Sequence, residues 1–128
     1  MRQVISRLRR LGSPNPVLRE GHVQKAGPIK TDQDFFIVDA PFPQLLTPED
    51  IVAGKDGSGK GGVWEVDALA KEIKEIQGVL EVGLFHGPTG PEAAAAGVVG
   101  GQKPVAAYFG MLDGSVTVRK AKTSSESV

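Results

Sequence analysis

Residues 66–85 read VDALAKEIKEIQGVLEVGLF, and this stretch decides the fold class. Its first half predicts an amphipathic helix that begins near Asp67 and ends at Gly78. The apolar stripe of that helix consists of Val66, Leu69, Ala70, Ile73 and Ile76. The second half, Val79 to Phe85, is rich in apolar residues and predicts a strand. A helix followed at once by a strand indicates a domain that contains both kinds of element.

The N-terminal third of the chain predicts one more helix and two strands. The apolar face of the opening helix consists of Val4, Leu8 and Leu11. Gly12 follows that face and is expected to end the helix, because glycine tolerates the left-handed conformation found there. Residues 17–20 predict a short strand. The run Phe35–Val38 is apolar throughout, which indicates a strand covered on both faces.

The chain closes with a predicted hairpin. Residues 105–109 and 115–118 form two apolar runs, and Asp113-Gly114 lies between them. That dipeptide favours a tight turn between antiparallel strands. The order helix, strand, strand, helix, strand and hairpin predicts an α/β or α+β domain.

Two glycine-rich segments interrupt this order. Residues 54–62 contain five glycines, and little burial is available there to offset their backbone entropy. We expect a surface insertion with no order of its own. Residues 87–103 are rich in Gly, Ala and Pro without an apolar period, which favours a loop. The polar end of the chain, residues 123–128, is expected to be a disordered tail.

Composition excludes several classes of protein. The 128 residues carry 15 Lys+Arg and 15 Asp+Glu, a net charge of zero, which removes the electrostatic case for nucleic acid or a membrane surface. The absence of cysteine excludes disulfides, thiolate metal sites and thiol nucleophiles. No charge-free run exceeds ten residues, so no transmembrane helix is predicted. We expect a cytoplasmic protein.

One motif resembles a nucleotide-binding loop. Gly54-x-x-x-x-Gly59-Lys60 matches most of the phosphate-binding pattern, but Gly61 stands where a hydroxyl would ligate Mg²⁺. No buried strand precedes it, so a flexible linker is the favoured interpretation. A nucleophile-elbow context is absent around the serines that we considered, Ser13, Ser58 and Ser115.

Histidines and clustered carboxylates are the other candidates for chemistry. His22 and His86 lack a second ligand at metal-binding spacing, and a hydrogen-bonded loop histidine is favoured for each. Asp32, Asp34 and Asp39 surround one predicted strand, where paired carboxylates can divide acid and base work. Aspartates in turns more often bond their own backbone, so a structural role is favoured. The residues alone predict no catalytic, cofactor-binding or metal site.

Four stretches, in the same order, resemble type A ribose-5-phosphate isomerase. Ile73–Phe85 is similar to the family pattern I-x-x-I-P-G-V-V-E-x-G-L-F, with Gln77 in place of the usual proline. Lys25–Asp39 resembles the turn and Phe-Ile-Leu-Asp strand of the family. The other two stretches, similar to its closing hairpin and its Leu-Gly-Gly segment, are Tyr108–Val116 and Leu11-Gly12.

The resemblance implies an enzyme of the pentose phosphate pathway that interconverts ribose 5-phosphate and ribulose 5-phosphate. In that family, proton transfer proceeds through an enediolate, with neither a metal nor an organic cofactor. A Rossmann-like catalytic half precedes a smaller ferredoxin-like domain, and the closing strands pair back onto the catalytic sheet. The phosphate loop, the Gly-Ala-Asp-Glu segment and the Lys-Gly-Gly-Gly segment belong to that half and do not occur in this chain. No catalytic residue is therefore carried over.

We therefore expect an inactive C-terminal portion of such an isomerase. Its predicted parts are a ferredoxin-like region at 1–86 containing the 54–62 insertion, a loop insertion at 87–103, a closing hairpin at 104–122 and the tail. The full-length enzyme is expected to bind a sugar phosphate and to form a homo-oligomer, with no nucleic-acid or membrane partner.

Without a catalytic half, the closing strands would leave unpaired edges, so the isolated chain is expected to be marginally stable or to self-associate. The alternative function is a non-catalytic ferredoxin-like module for oligomerisation or partner binding. A third hypothesis is a regulatory domain that binds a metabolite in its glycine-rich loops.

Overall fold

A computed structural model describes residues 1–21 and 27–121. They fall into two compact units, Met1–Val82 and Gly83–Val128. The predicted tail at 123–128 lies outside the described residues, as does the beginning of the family-like segment at Lys25. The elements are α1 (Arg2–Arg10), β1 (Val17–Leu18), β2 (Val38–Asp39), α2 (Pro48–Val52), a 3₁₀ turn (Lys60–Gly62), α3 (Val66–Lys74), α4 (Gly90–Ala95), β3 (Ala106–Gly110) and β4 (Val116–Lys120).

The two segments predicted as helices from apolar periodicity supply four buried hydrophobic side chains of the first unit. Its buried apolar residues, each at most 4% exposed, are Leu8, Leu69, Ala70 and Ile76. Both helices are therefore confirmed. Leu11 closes α1, and Gly12 follows with a φ of 111°, as expected of a residue at a helix end. The second helix, α3, ends at Lys74, four residues earlier than predicted.

The N-terminal cap of α3 is Glu65, so the prediction of a cap at Asp67 is wrong. The Glu65 carboxylate accepts hydrogen bonds from the backbone N–H groups of Asp67 at 3.0 Å and Ala68 at 2.9 Å. Short polar side chains are the common caps. The longer Glu65 side chain reaches the unpaired backbone N–H groups of the first turn because the backbone of Glu65 is extended. Asp67 lies in the first turn instead, where its negative charge interacts favourably with the positive N-terminal end of the helix dipole.

The glycine-rich segment 54–62 is packed into the first unit, contrary to the expectation of an insertion without order. Gly57 and Gly62 are buried, and residues 60–62 form the 3₁₀ turn. Gly59 donates a backbone hydrogen bond to Val63 at 2.8 Å. A Cβ atom at Gly59 would overlap the Trp64 ring. The glycines therefore permit close packing, which composition alone does not indicate.

The small sheet of the first unit pairs β1 with β2 in antiparallel register, with Val17 opposite Asp39. The strand predicted over Phe35–Val38 is therefore shorter and displaced towards Asp39. Phe35 and Phe36 are 46% and 49% exposed, so the expected burial on both faces is wrong. These two residues lie beside the turn, beyond the two-residue pairing, where the Lys30 ammonium covers the Phe36 ring at 5.0 Å from its centroid.

The strand predicted over Val79–Phe85 does not form. Leu80 is 62% exposed and Phe85 is 74% exposed. A strand requires a neighbour for its backbone N–H and C=O groups, and none of the described residues pairs with this segment. The apolar pattern of Val79–Phe85 is typical of a strand, but no segment within residues 1–21 and 27–121 pairs with it.

The second unit contains a helix inside the segment 87–103, so the prediction of a loop over its whole length is wrong. Helix α4 begins with a capping box in which Thr89 and Glu92 each bond the other's backbone N–H, at 3.3 and 2.8 Å. Ala93 of this helix is 2% exposed. The sequence feature that indicates this helix is the Thr-x-x-Glu spacing of Thr89 and Glu92 with Pro91 in the first turn, rather than an apolar period.

The closing hairpin is confirmed. Strands β3 and β4 are antiparallel over five residue pairs, from Ala106 opposite Lys120 to Gly110 opposite Val116. Gly114 adopts a φ of 85° in the connecting turn. With two small antiparallel sheets beside the helices, the mixed α/β class is confirmed at that level. None of the described helices is long and apolar enough to cross a membrane.

Candidate functional site

A surface depression of about 240 Å³ lies beside the C-terminal half of α1. Leu8 turns the apolar side of α1 inward, and side chains three positions apart share the same side of a helix. Arg7 and Arg10 therefore reach the depression together. Its lining residues are Arg7, Arg10, Leu11, Glu72 and Ile76.

The two arginines are the groups in this depression that suit an anion. Both are exposed, and neither forms a salt bridge with another residue in the described part of the chain. Guanidinium groups bind phosphate or carboxylate oxygens in bidentate geometry. Glu72 is the single carboxylate of the lining, so the depression offers binding groups without a pair of acids for proton transfer.

Sequence reasoning did not single out Arg7 and Arg10 as candidate site residues. The available signal was their spacing of three on the polar face of an otherwise apolar-striped helix. Their association with Glu72 joins two helices that are distant in sequence, and no local pattern indicates it.

The candidate carboxylate Asp39 is bound to Arg19 across the β1–β2 pair. Arg19 donates from Nε to Oδ2 at 2.9 Å and from Nη2 to Oδ1 at 2.5 Å. These hydrogen bonds, together with the charge of the guanidinium, hold the pKa of Asp39 below its usual range and raise the pKa of Arg19. Asp39 and Arg19 thus form a half-exposed ion pair with a structural role.

The other two candidate aspartates lie in the turn that precedes β2. The Asp34 carboxylate is 3.0 Å from the Lys30 ammonium, and its backbone has a φ of 69°. Asp32 is exposed in the same turn. A turn role for both residues agrees with the interpretation favoured from the sequence. Within the described ranges, no group of three His, Cys, Asp or Glu side chains is arranged to hold a metal ion.

The candidate histidines and the glycine loop show no arrangement of catalytic groups. His86 is half-buried and interacts with other residues, while His22 lies outside the described residues. Residues 54–60 follow the short helix α2 rather than a strand. Gly59 packs under Trp64, which accounts for that glycine without a phosphate.

The candidate serines serve turns or packing. Ser58 and Ser115 donate their backbone N–H groups to Asp56 and Asp113, each at 2.9 Å. Hydrogen bonds from the side chains of the two serines, followed by these backbone bonds, lower the pKa values of both aspartates. Ser13 is 2% exposed, and its hydroxyl has no hydrogen-bond partner among the described residues. The Ser115 hydroxyl donates to Asp113 at 2.6 Å within the same exposed turn, so the serine–aspartate contacts are local turn contacts.

One protein family matches most of the chain. A family described as "Ribose 5-phosphate isomerase A (phosphoriboisomerase A)" matches residues 1–100. No solved structure matches the chain.

Three relatives named ribose-5-phosphate isomerase illustrate how much of each protein is matched. The chain is 36% identical to the protein of Mycosarcoma maydis over 121 residues, which cover 93% of this chain and 30% of the relative. It is 35% identical to that of Schizosaccharomyces pombe over 118 residues, 92% of this chain and 31% of the relative. It is 34% identical to that of Candida albicans over 110 residues, which cover 86% of this chain and 33% of the relative. The chain thus spans about 30% of the length of these relatives.

Proposed function

Because the chain belongs to the ribose 5-phosphate isomerase A family, we propose that it contributes one portion of an enzyme that interconverts ribose 5-phosphate and ribulose 5-phosphate. The reaction is an aldose–ketose isomerisation of the pentose phosphate pathway, with proton transfer through an enediolate. The observation that carries the proposal is the family match over residues 1–100 together with relatives aligned over about nine-tenths of the chain.

We propose further that the 128 residues do not catalyse this reaction by themselves. Proton transfer next to a carbonyl needs a positioned general base. Among the candidate carboxylates, Asp39 is engaged by Arg19 and Asp34 by Lys30, and the depression beside α1 contains Glu72 as its one acid. These arrangements support a portion that completes an active site or an assembly rather than one that contains the site.

We also propose an architecture for the complete enzyme. The first unit would be the ferredoxin-like small domain, and the β3–β4 hairpin would extend the sheet of a Rossmann-like catalytic domain. Support comes from the hairpin, in which Tyr108 is 73% exposed and Val116 is 62% exposed. Such side chains are favourable when another surface covers them. A cytoplasmic homo-oligomer that binds a sugar phosphate is the assembly we propose.

A chimera tests the proposed activity directly. The portion of the Mycosarcoma maydis relative that matches this chain is replaced by residues 1–128, and conversion of ribose 5-phosphate to ribulose 5-phosphate is measured. We expect the chimera to retain activity, while the relative that lacks the matching portion and the 128-residue chain alone are inactive. A folded chimera without activity would contradict the proposed function. Activity of the chain alone would contradict the proposal that the 128 residues do not catalyse the reaction by themselves.

The exposed hairpin also favours the alternative of a non-catalytic binding module. The binding-module hypothesis predicts a stably folded chain that binds a partner through β3 or β4. It also predicts a chimera that folds without activity. The same chimera therefore separates the two functions.

A further inference from the structure

The depression beside α1 is lined by three charged side chains that do not pair with one another. Arg7 and Arg10 come from α1, and Glu72 comes from α3. Within residues 1–21 and 27–121, none of these three side chains forms an ion pair or a hydrogen bond. The depression therefore offers two cationic groups and one anionic group to a ligand.

Both walls of the depression belong to the packed part of the first unit. Leu8, the neighbour of Arg7 in α1, and Ile76, which lines the depression, are each 4% exposed. All five lining residues lie within Met1–Val82. The two helices that carry the charges are thus held by contacts inside this unit, independently of the hairpin.

The pattern of charges selects the class of ligand. Arg7 and Arg10 are three positions apart, so their Cβ atoms are about 5–6 Å from each other, and each guanidinium group can bind one carboxylate. A ligand in the depression also removes water from Glu72, and a carboxylate that loses water needs a positive partner. A small molecule with two carboxylates and one ammonium group satisfies all three side chains.

We propose that the depression binds a free acidic amino acid, glutamate or aspartate, with its carboxylates on Arg7 and Arg10 and its ammonium group on Glu72. At neutral pH such a molecule carries two negative charges and one positive charge, the inverse of the lining. The volume of about 240 Å³ lies below the roughly 300–1,000 Å³ of pockets for drug-sized ligands, which suits a metabolite of this size. Leu11 and Ile76 supply apolar contacts for its methylene carbons.

A phosphate ester is the competing ligand for a pair of arginines. Its dianion would satisfy both guanidinium groups, but a sugar phosphate offers no positive group to Glu72. We therefore expect the substrate class of the proposed isomerase to bind this depression more weakly than glutamate does. The inference goes beyond the proposed function, because an amino-acid site needs neither a general base nor a sugar phosphate.

Titration of the ¹⁵N-labelled 128-residue chain with L-glutamate, followed by NMR, tests the site and reports on folding in the same spectra. We expect saturable shifts in the second half of α1 and around Glu72. Glutarate lacks the ammonium group and glutamine lacks one carboxylate, so each is expected to have a dissociation constant at least tenfold higher. Inorganic phosphate and ribose 5-phosphate are titrated in parallel and are expected to bind more weakly than glutamate.

Two pairs of matched variants locate the ligand. Arg10→Gln is expected to raise the dissociation constant for glutamate at least tenfold. Arg9→Gln makes the same change in charge on the same helix but outside the lining, and is expected to change it by less than about threefold. Glu72→Gln should remove the preference for glutamate over glutarate, whereas Glu75→Gln should preserve it.

Several outcomes would overturn the proposal. Equal effects of Arg9→Gln and Arg10→Gln would show a general effect of charge, and phosphate or ribose 5-phosphate binding as tightly as glutamate would assign the arginines to another ligand. Absence of shifts up to about 10 mM glutamate would exclude the site. Calorimetry repeats the glutamate titration on the chimera, where loss of binding would show that the remaining portion covers the depression. Binding needs no turnover, so an inactive chimera that binds glutamate would contradict the isomerase proposal alone.

Discussion

The indole N–H of Trp64 donates a hydrogen bond of 2.6 Å to the backbone carbonyl of Leu11, 53 residues earlier in the chain. Leu11 closes α1, and the last carbonyls of a helix have no partner within the helix. Trp64 thus satisfies the end of α1 and fixes it beside the glycine-rich segment. The Arg7 and Arg10 side chains belong to the same end of α1, so this bond also helps to position the depression.

Replacing Trp64 tests the importance of that hydrogen bond. Trp64→Phe keeps an aromatic ring but leaves the Leu11 carbonyl without its donor, and we expect a loss of about 1–2 kcal/mol in the free energy of unfolding. Trp64→Ala also removes the ring that packs on Gly59 and should cost about 3 kcal/mol. Urea denaturation followed by circular dichroism measures both. A Trp64→Phe variant as stable as the natural chain would show that the ring, not the hydrogen bond, matters, because that variant loses only the donor.

Gly12 is expected to be the most sensitive glycine of the first unit. Its φ is 111°, and an added Cβ would overlap Gly62. Gly12→Ala therefore combines backbone strain with a clash between two backbone segments, and we expect a loss of at least about 2 kcal/mol. Gly54→Ala is the matched control, because Gly54 has a φ of 94° and open space around its Cα. A loss equal to that of the control would contradict the close approach of Gly12 and Gly62.

The elements that follow from local sequence were predicted well. The apolar stripe of α3 occupies neighbouring turns of one helix, and Asp113-Gly114 specifies a turn with its own backbone preferences. The family was also identified from contiguous stretches such as Ile73–Phe85, and the family match over residues 1–100 confirms it. A helix stripe, a turn dipeptide and a sequence motif each lie within a short stretch of neighbouring residues.

The features that depend on distant partners were not predictable in this way. Val79–Phe85 has the apolar content of a strand, but a strand forms only where another segment accepts its hydrogen bonds. Residues 54–62 had the composition of a linker, and only the packing of Gly59 against Trp64 shows their role. The depression beside α1 likewise depends on Glu72 of another helix. The positions of these partners are set by tertiary packing.

Asp50 gives the first unit a measurable response to acid. Its carboxylate accepts hydrogen bonds from the Lys55 ammonium at 2.7 Å and the Thr47 backbone at 2.9 Å, which lower its pKa from 3.8 to about 2. Because the folded pKa is the lower one, this carboxylate stabilises the fold fully above about pH 4, and its contribution is lost as the pH falls towards 2. Lys55→Met should raise the pKa of Asp50 and leave that of Asp113 unchanged, as measured by NMR titration. An unchanged Asp50 midpoint would contradict the interaction with Lys55.

Helix α4 is expected to depend on its capping box. Six residues are too few for a helix to be stable alone in water. Thr89→Ala removes the acceptor of the Glu92 N–H and should cost about 1 kcal/mol, while Thr89→Ser keeps the hydroxyl and serves as the control. Hydrogen exchange measured by NMR at Ala93 and Ala96, whose N–H groups bond to Thr89 and Glu92, should accelerate in the alanine variant only. If protection survives in both variants, burial of Ala93 rather than the cap holds this helix in place.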